Sequence, residues 1–228
     1  MIPAKPITVV LAEDHSIVRE GLRTLLQAEP DLEVVGEAAN GRQAVALVNR
    51  FHPDVVVMDI AMPLLNGIGA THQILKTVPA TRVLILSAHS DDAYVEQAIA
   101  LGASGYLIKQ TAANVLPKAI REVHRGNTFF SPSISKRLAY RNQKSPTVQG
   151  LLKKKVVRLT SRELEVLQLV AEGKANKQTA AELGVGLKTI EKHREHIMDK
   201  LDIHDTASLT RYAISAGIIE SSVQVTII

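Results

Sequence analysis

One periodicity constrains this chain more than any other feature. Between residues 7 and 125, short apolar runs rich in β-branched residues (7–11, 32–35, 55–58, 83–86 and 105–108) alternate with longer segments of helical spacing (16–28, 42–51, 68–77, 92–101 and 113–124). Five strand–helix units in succession predict a parallel sheet with helices on both faces, and near-continuous apolar strands predict burial on both sides. Pro117 lies inside the fifth helical segment, which predicts that this helix starts later than its spacing alone would place it. From Leu159 onward the spacing is helical only, near 161–172, 176–183, 187–201 and 206–216, with Gly173 and Gly184 as punctuation. Thr160 with Glu163 three residues on has the form of a capping box. Between the two patterns, Ser131-Pro132, Ser145-Pro146 and Gly150 among scattered basic residues read as a linker, more a solvated spacer than a binding arm. The expected organisation is an α/β domain at 5–130, a linker at 131–157 and a small all-α domain of four helices at 158–220.

Composition removes several function classes. The 228 residues include no cysteine, which excludes disulfide scaffolds, thiolate metal sites and thiol nucleophiles. Aromatic residues are 3% with no Trp, which argues against a stacking platform for single-stranded nucleic acid. No apolar run reaches the roughly 20 residues that span a bilayer, and residues 1–6 lack a signal-peptide pattern, so a cytoplasmic protein without membrane attachment is expected. Residues 1–132 carry a net charge of −2, residues 133–150 of +4 and residues 151–228 of +2. A basic rear half suggests a polyanion partner there.

In an open parallel sheet, ligands bind beyond the carboxyl ends of the strands. Those ends carry Glu13 and Asp14, then Asp59, Ser87 and Lys109. Three neighbouring carboxylates repel one another and call for a divalent cation, and magnesium suits an all-oxygen site completed by phosphate. A lysine and a hydroxyl opposite them would offset and read the charge of a phosphorylated carboxylate. Competing ligand motifs fail: no GxxxxGK[ST] occurs, and Gly67-Ile68-Gly69 lacks the third glycine of a dinucleotide fingerprint. Ser87, His89 and Asp91 are too close in sequence for a hydrolase triad, and no nucleophile elbow is present.

These residues carry a resemblance. Leu11-Ala12-Glu13-Asp14-His15, Val57-Met58-Asp59-Ile60-Ala61-Met62-Pro63, Leu86-Ser87-Ala88 and the run from Gly102 to Lys109 make residues 7–125 similar to the receiver domain of bacterial two-component response regulators. The resemblance implies a flavodoxin-like five-stranded parallel sheet with Asp59 as phosphoacceptor. It implies Mg²⁺ on Glu13, Asp14 and Asp59, helped by the carbonyl of Ala61. It also implies Ser87 and Tyr106 as a switch pair, with Tyr106 turning inward on activation, Lys109 on the phosphoryl group, and a sensor histidine kinase as donor.

The segment from Asn176 to Val185, followed by Lys188-Thr189-Ile190-Glu191-Lys192-His193, reads as helix, tight turn, helix, an arrangement that can seat its second helix in a major groove. Ile190, Ile197 and Leu201 share one face of that second helix, with Lys188, Glu191, Lys192, Glu195 and Asp199 away from it. On periodicity alone a helical interaction bundle remains open. Leu159-Thr160-Ser161-Arg162-Glu163, Glu165-Val166-Leu167, Asn176-Lys177, Thr189 to His193, Ile197-Met198 and Lys200-Leu201 resemble a LuxR-type helix-turn-helix domain of the NarL/FixJ class of response regulators. The resemblance implies double-stranded DNA as partner through Lys177, Lys188, Thr189, Glu191, Lys192 and Glu195, and a fourth helix that pairs two domains into a homodimer.

Three departures stand out. Gly186 replaces a common serine ahead of the recognition helix. Gln178-Thr179-Ala180 replaces a more apolar pair, which predicts more polar packing. Glu191 and Glu195 stand where many relatives have base-reading lysines, which predicts a different DNA site, since glutamate accepts from cytosine N4. His193, His196 and His204 lack the further ligands of a zinc site. The whole reads as a phosphorylation-controlled transcription factor and not an enzyme. The alternatives are an aspartyl-phosphate phosphatase, for which no acid–base residue or cap is visible, and a receiver-controlled protein-interaction switch.

Overall fold

A computed structural model describes residues 5–88, 92–144 and 159–219. The chain forms two compact units that divide between residues 158 and 159. In the first, β1 (Ile7–Ala12), β2 (Leu32–Ala38), β3 (Val55–Asp59), β4 (Arg82–Ser87) and β5 (Gly105–Ile108) alternate with α1 (Ser16–Gln27), α2 (Gly41–Phe51), α3 (Gly67–Thr77), α4 (Asp92–Leu101) and α5 (Lys109–His124). All strand pairs are parallel, in the order β2-β1-β3-β4-β5.

Alternation along each strand builds two apolar cores. Val10, Ala12, Val56, Met58, Val83, Ile85 and Tyr106 fill one face with residues of α2, α3 and α4. Val9, Leu11, Val55, Val57, Leu84, Leu86 and Leu107 fill the other, with Leu26 of α1 and Leu116, Ile120 and Val123 of α5. Because both faces are covered, the strands read as unbroken apolar runs rather than as alternating ones.

Three expectations need correction. The sheet has a sixth strand, β6 (Phe129–Phe130), parallel to β5 at the edge. It is admitted by Gly105, where any Cβ would run into the Phe129 carbonyl. The stretch read as linker opens with helix α6 (Pro132–Lys144), whose Ile134 is fully buried in the first core. Proline at the first helical position removes no hydrogen bond, so Ser131-Pro132 starts this helix rather than ending structure. The fifth helix runs from Lys109 straight through Pro117. Ala112 and Leu116 before the proline, and Ala119, Ile120 and Val123 after it, are all buried on the sheet. That burial outweighs the roughly 3 kcal/mol that an interior proline costs.

The second unit holds α7 (Ser161–Ala171), α8 (Asn176–Leu183), α9 (Leu187–Leu201) and α10 (Thr206–Ser215), each within a residue of its expected bounds. Residues 145–157, the rest of the expected linker, lie outside the described residues, as do His89 and Asp91. Among the described residues no helix is long and apolar enough to cross a membrane.

Candidate functional site

Register assembles the site. Ala12 pairs with Met58, Asp59 with Leu86, and Ser87 with Ile108. The residues at or just past the strand ends, Glu13, Asp59, Ser87 and Lys109, therefore stand in one row across four adjacent strands. Behind Asp59 the chain doubles back: Gly67 donates its N–H to the Ile60 carbonyl at 2.9 Å. A Cβ at Gly67 would strike the Asp59 carbonyl, so only glycine lets α3 begin this close to the strand.

The row is buried and crowded with negative charge. Glu13 is fully buried, Asp59 is 2% exposed and Ser87 1%. Lys109 Nζ lies 2.8 Å from Glu13 Oε2 and 3.0 Å from Asp59 Oδ2. Burial, with the Glu13 charge beside it, pushes the Asp59 carboxyl up to about 6 against the pull of Lys109. Burial would lower Lys109, but the facing Asp59 and Glu13 charges more than offset it and hold the ammonium above its ordinary range.

Sequence reasoning passed over two members of this site. His15 Nδ1 sits 2.9 Å from Asp14 Oδ1 and 3.1 Å from Glu13 Oε1. The Asp14 charge, opposed by partial burial, raises that imidazole. Arg19 donates from Nη1 to the Glu13 carbonyl at 2.6 Å and anchors α1 beneath the acidic turn. The signal for His15 was its place directly after Glu13-Asp14; Arg19 one helical turn later left no comparable trace.

Ligand atoms of Glu13, Asp14, His15 and Asp59 lie within 4.8 Å of one another, a cluster able to hold a divalent metal ion. The donor set supports this. Glu13 Oε2, Asp14 Oδ1 and Asp59 Oδ2 are buried without a well-aligned hydrogen bond, and one ammonium does not balance three carboxylates. Among the described residues His193, His196 and His204 form no such group.

Tyr106 is fully buried, in the same apolar cluster as Phe130 and Ile134.

In the helical unit, Thr160 and Glu163 form the expected capping box. Glu163 is 3% exposed and also takes Lys200 Nζ at 2.8 Å, which ties the start of α7 to the end of α9. Gly184 closes α8 at φ 62°, and Gly186 caps α9 through backbone alone, so three residues make the turn. Arg194 donates to Asn176 Oδ1 at 2.8 Å and Thr206 Oγ1 at 3.0 Å, linking α9 to both neighbouring helices.

Ile190 and Ile197 are buried, whereas Lys177, Lys188, Thr189, Glu191, Lys192 and Glu195 are all exposed. None of those six side chains has a hydrogen bond or ion pair among the described residues. The polar substitution under α8 divides in two. Gln178 turns outward and accepts the Ala175 N–H at 2.9 Å, while Thr179 is fully buried with its Oγ1 unpartnered.

A buried carboxylate row on a doubly wound sheet, followed by a helix-turn-helix unit with its second helix uncovered, defines a phosphoacceptor switch joined to a DNA-reading module. Residues 9–121 match the response regulator receiver domain, and residues 157–213 match the bacterial regulatory proteins of the luxR family. The transcriptional regulatory protein DegU of Brevibacillus brevis is 34% identical over 222 residues, covering 92% of this chain and 94% of that one. The oxygen regulatory protein NreC of Staphylococcus carnosus is 36% identical over 214 residues, covering 93% and 99%. The response regulator RcsB has been solved with DNA, and as two dimers bound to two parallel DNAs. Each of these matches at 28% identity with a TM-score of 0.56, covering 92% of this chain and 99% of that one. The chain belongs to the two-component response regulators, in the NarL/LuxR family. It is a phosphorylation-responsive, DNA-binding transcriptional regulator, a signalling protein and not a metabolic enzyme.

Proposed function

We propose that Asp59 accepts a phosphoryl group from a sensor histidine kinase, and that this acceptance controls the engagement of double-stranded DNA by α9. The observation that carries the first half is the Asp59 carboxylate itself. It is buried between Glu13 and Lys109, with an oxygen that lacks an aligned donor. Glu13, Asp14 and Asp59, with the Ala61 carbonyl, would hold Mg²⁺. Bound there, the cation offsets the charge that gathers on the transferring oxygens.

The chain's own residues do the rest. Lys109 neutralises the incoming oxygens from the opposite side. Ser87, at the end of β4, supplies a hydroxyl to the product. The modification adds about −1.5 to −2 charge and three acceptor oxygens in a buried row. Ser87 and Lys109 therefore move toward it, with Tyr106 as the second member of the switch pair. The shift biases the surface around β4 and α4.

On the helical unit, Lys177, Lys188 and Lys192 contact phosphates, and Thr189, Glu191 and Glu195 face the bases. This assignment rests on their common exposure and lack of protein partners. A homodimer paired through α10 would read two half-sites; RcsB has been solved as dimers bound to DNA. The test is a DNA-binding titration of the full chain with Mg²⁺ and a small phosphodonor, supplied or withheld. Tighter binding with the donor, abolished in Asp59→Asn, is the expected result; undiminished activation of that variant overturns the mechanism. Loss of affinity with rising salt separates DNA binding from a protein-interaction switch.

A further inference from the structure

The position of Lys109 depends on a junction. β5 ends at Ile108, and α5 starts at the next residue, so the ammonium that reaches Glu13 and Asp59 is carried by the first residue past the strand. Ile108 caps α5 without any side-chain hydrogen bond. Its own N–H faces the sheet edge, where β6 has already ended at Phe130. The acceptor there is not backbone. Ser131 Oγ takes the Ile108 N–H at 3.0 Å, in a buried position, and Ser131 is 1% exposed.

The same residue is bonded in two further ways. Its N–H donates to the Tyr106 carbonyl at 3.0 Å, and its carbonyl accepts from Ile134 and Ser135, both at 2.9 Å. A serine at the head of a helix ordinarily turns its hydroxyl onto that helix's own second or third N–H. Here the hydroxyl extends the sheet by one rung instead and joins the strand that carries Lys109 to the start of α6.

We propose that Ser131 is a positioning residue for phosphoryl acceptance: its hydroxyl fixes the 108–109 junction and so holds Lys109 Nζ within reach of Asp59. The proposal rests on the phosphoacceptor reading of Asp59. Without the hydroxyl the Ile108 N–H is buried and unpaired, and the junction shifts to find another partner. A displacement of that kind acts on rate, because the ammonium must meet the transferring oxygens in register. It leaves Glu13, Asp14 and Asp59 where they are, since Asp59 ends β3 and the other two follow directly on β1.

The experiment uses the full chain with Mg²⁺ and acetyl phosphate. An Asp59 carboxylate oxygen attacks phosphorus, the bond from phosphorus to the acetyl oxygen breaks, and acetate leaves with the electron pair. The aspartyl phosphate is followed by intact mass, and Mg²⁺ affinity by calorimetric titration with the metal alone. Ser131→Ala is expected to slow phosphorylation about tenfold and to leave the Mg²⁺ dissociation constant within about twofold of the original. Ser131→Thr, which keeps the hydroxyl, restores the rate. An unchanged rate in Ser131→Ala overturns the proposal. So does a joint fall of rate and Mg²⁺ affinity that Ser131→Thr does not rescue, which marks a general structural role. A wild-type chain that takes up no phosphoryl group breaks the reading of Asp59 itself.

Discussion

The receiver unit and the helical unit use charge in opposite ways. In the first, the charges that matter are pressed together: Lys109 Nζ lies within 3.0 Å of both the buried Glu13 and the buried Asp59 at the edge of the sheet. In the second they are exposed and apart: Lys188, Glu191, Lys192 and Glu195 stand on α9 without partners. A buried charge is expensive until something neutralises it, so the receiver is primed for a cation and a phosphoryl group. An exposed charge in water costs little, so the helical unit waits for a surface that supplies its partners. One unit stores electrostatic tension; the other offers electrostatic pattern.

The largest effect should come from relieving that tension. Folding raises the Asp59 carboxyl from its ordinary 3.8 to about 6. A carboxyl whose folded value is raised binds its proton more tightly in the native state. Its favourable contribution is therefore fully present below about 4 and is lost as pH rises through about 6. Without metal, Asp59→Asn should stabilise the receiver at pH 7.5 by up to about 3 kcal/mol, from a shift of about two units at 1.36 kcal/mol each. The gain should shrink toward pH 5. Urea unfolding at the two pH values measures it, and Mg²⁺ should reverse the order of wild type and variant at pH 7.5. Equal stability of the two proteins at both pH values would remove burial of an ionised Asp59 as the source of tension.

The next test breaks the comparison from the other side. If charges on α9 form a pattern to be read, removing one should change what is read and not how well the unit folds. Glu191→Ala should leave thermal stability within about 0.5 kcal/mol. It should cost about 1–3 kcal/mol of discrimination at one base pair, where cytosine is preferred. In vitro selection on the full chain gives the answer; an identical preferred sequence in both proteins would remove Glu191 as a specificity residue.

The two units also differ in how far their residues announced them. The row of Glu13, Asp59, Ser87 and Lys109 was legible because a parallel sheet buried on both faces writes each strand as an apolar run that stops abruptly. The first polar residue after each run marks the ligand edge. The four helices of the second unit were legible through their spacing, the cap at Thr160 and the glycines at Gly173 and Gly184; the cap of the last helix, Asp205, which accepts the Ser208 N–H at 2.8 Å, was passed over. What escaped was long-range. β6 is two residues long and exists only because Gly105 leaves room for it. The contribution of Ser131 depends on a hydrogen bond across 23 residues of sequence. A serine–proline pair has the same local form whether it ends structure or starts a helix. Only the burial of Ile134 decides between them.

The smallest effect probes a buried polar group of the helical unit. Thr179 is a polar group that is buried rather than displayed, and its hydroxyl has no partner. Burying a hydroxyl without a hydrogen bond costs about 1–3 kcal/mol by mutational measures, and its neighbours relax to recover part of that. Valine has nearly the same shape, carries a methyl in place of the hydroxyl and keeps the β-branched rotamer that a helix favours. Thr179→Val should therefore stabilise the helical unit by about 1 kcal/mol, seen as a rise in the midpoint of thermal unfolding, with DNA affinity unchanged because Lys177 beside it stays exposed. A loss of stability would mean that the hydroxyl is satisfied in solution by an ordered water. Thr179 would then be a further satisfied buried polar group, beside Glu163, whose burial is already offset by its ion pair with Lys200 at 2.8 Å, and the contrast with the receiver would narrow.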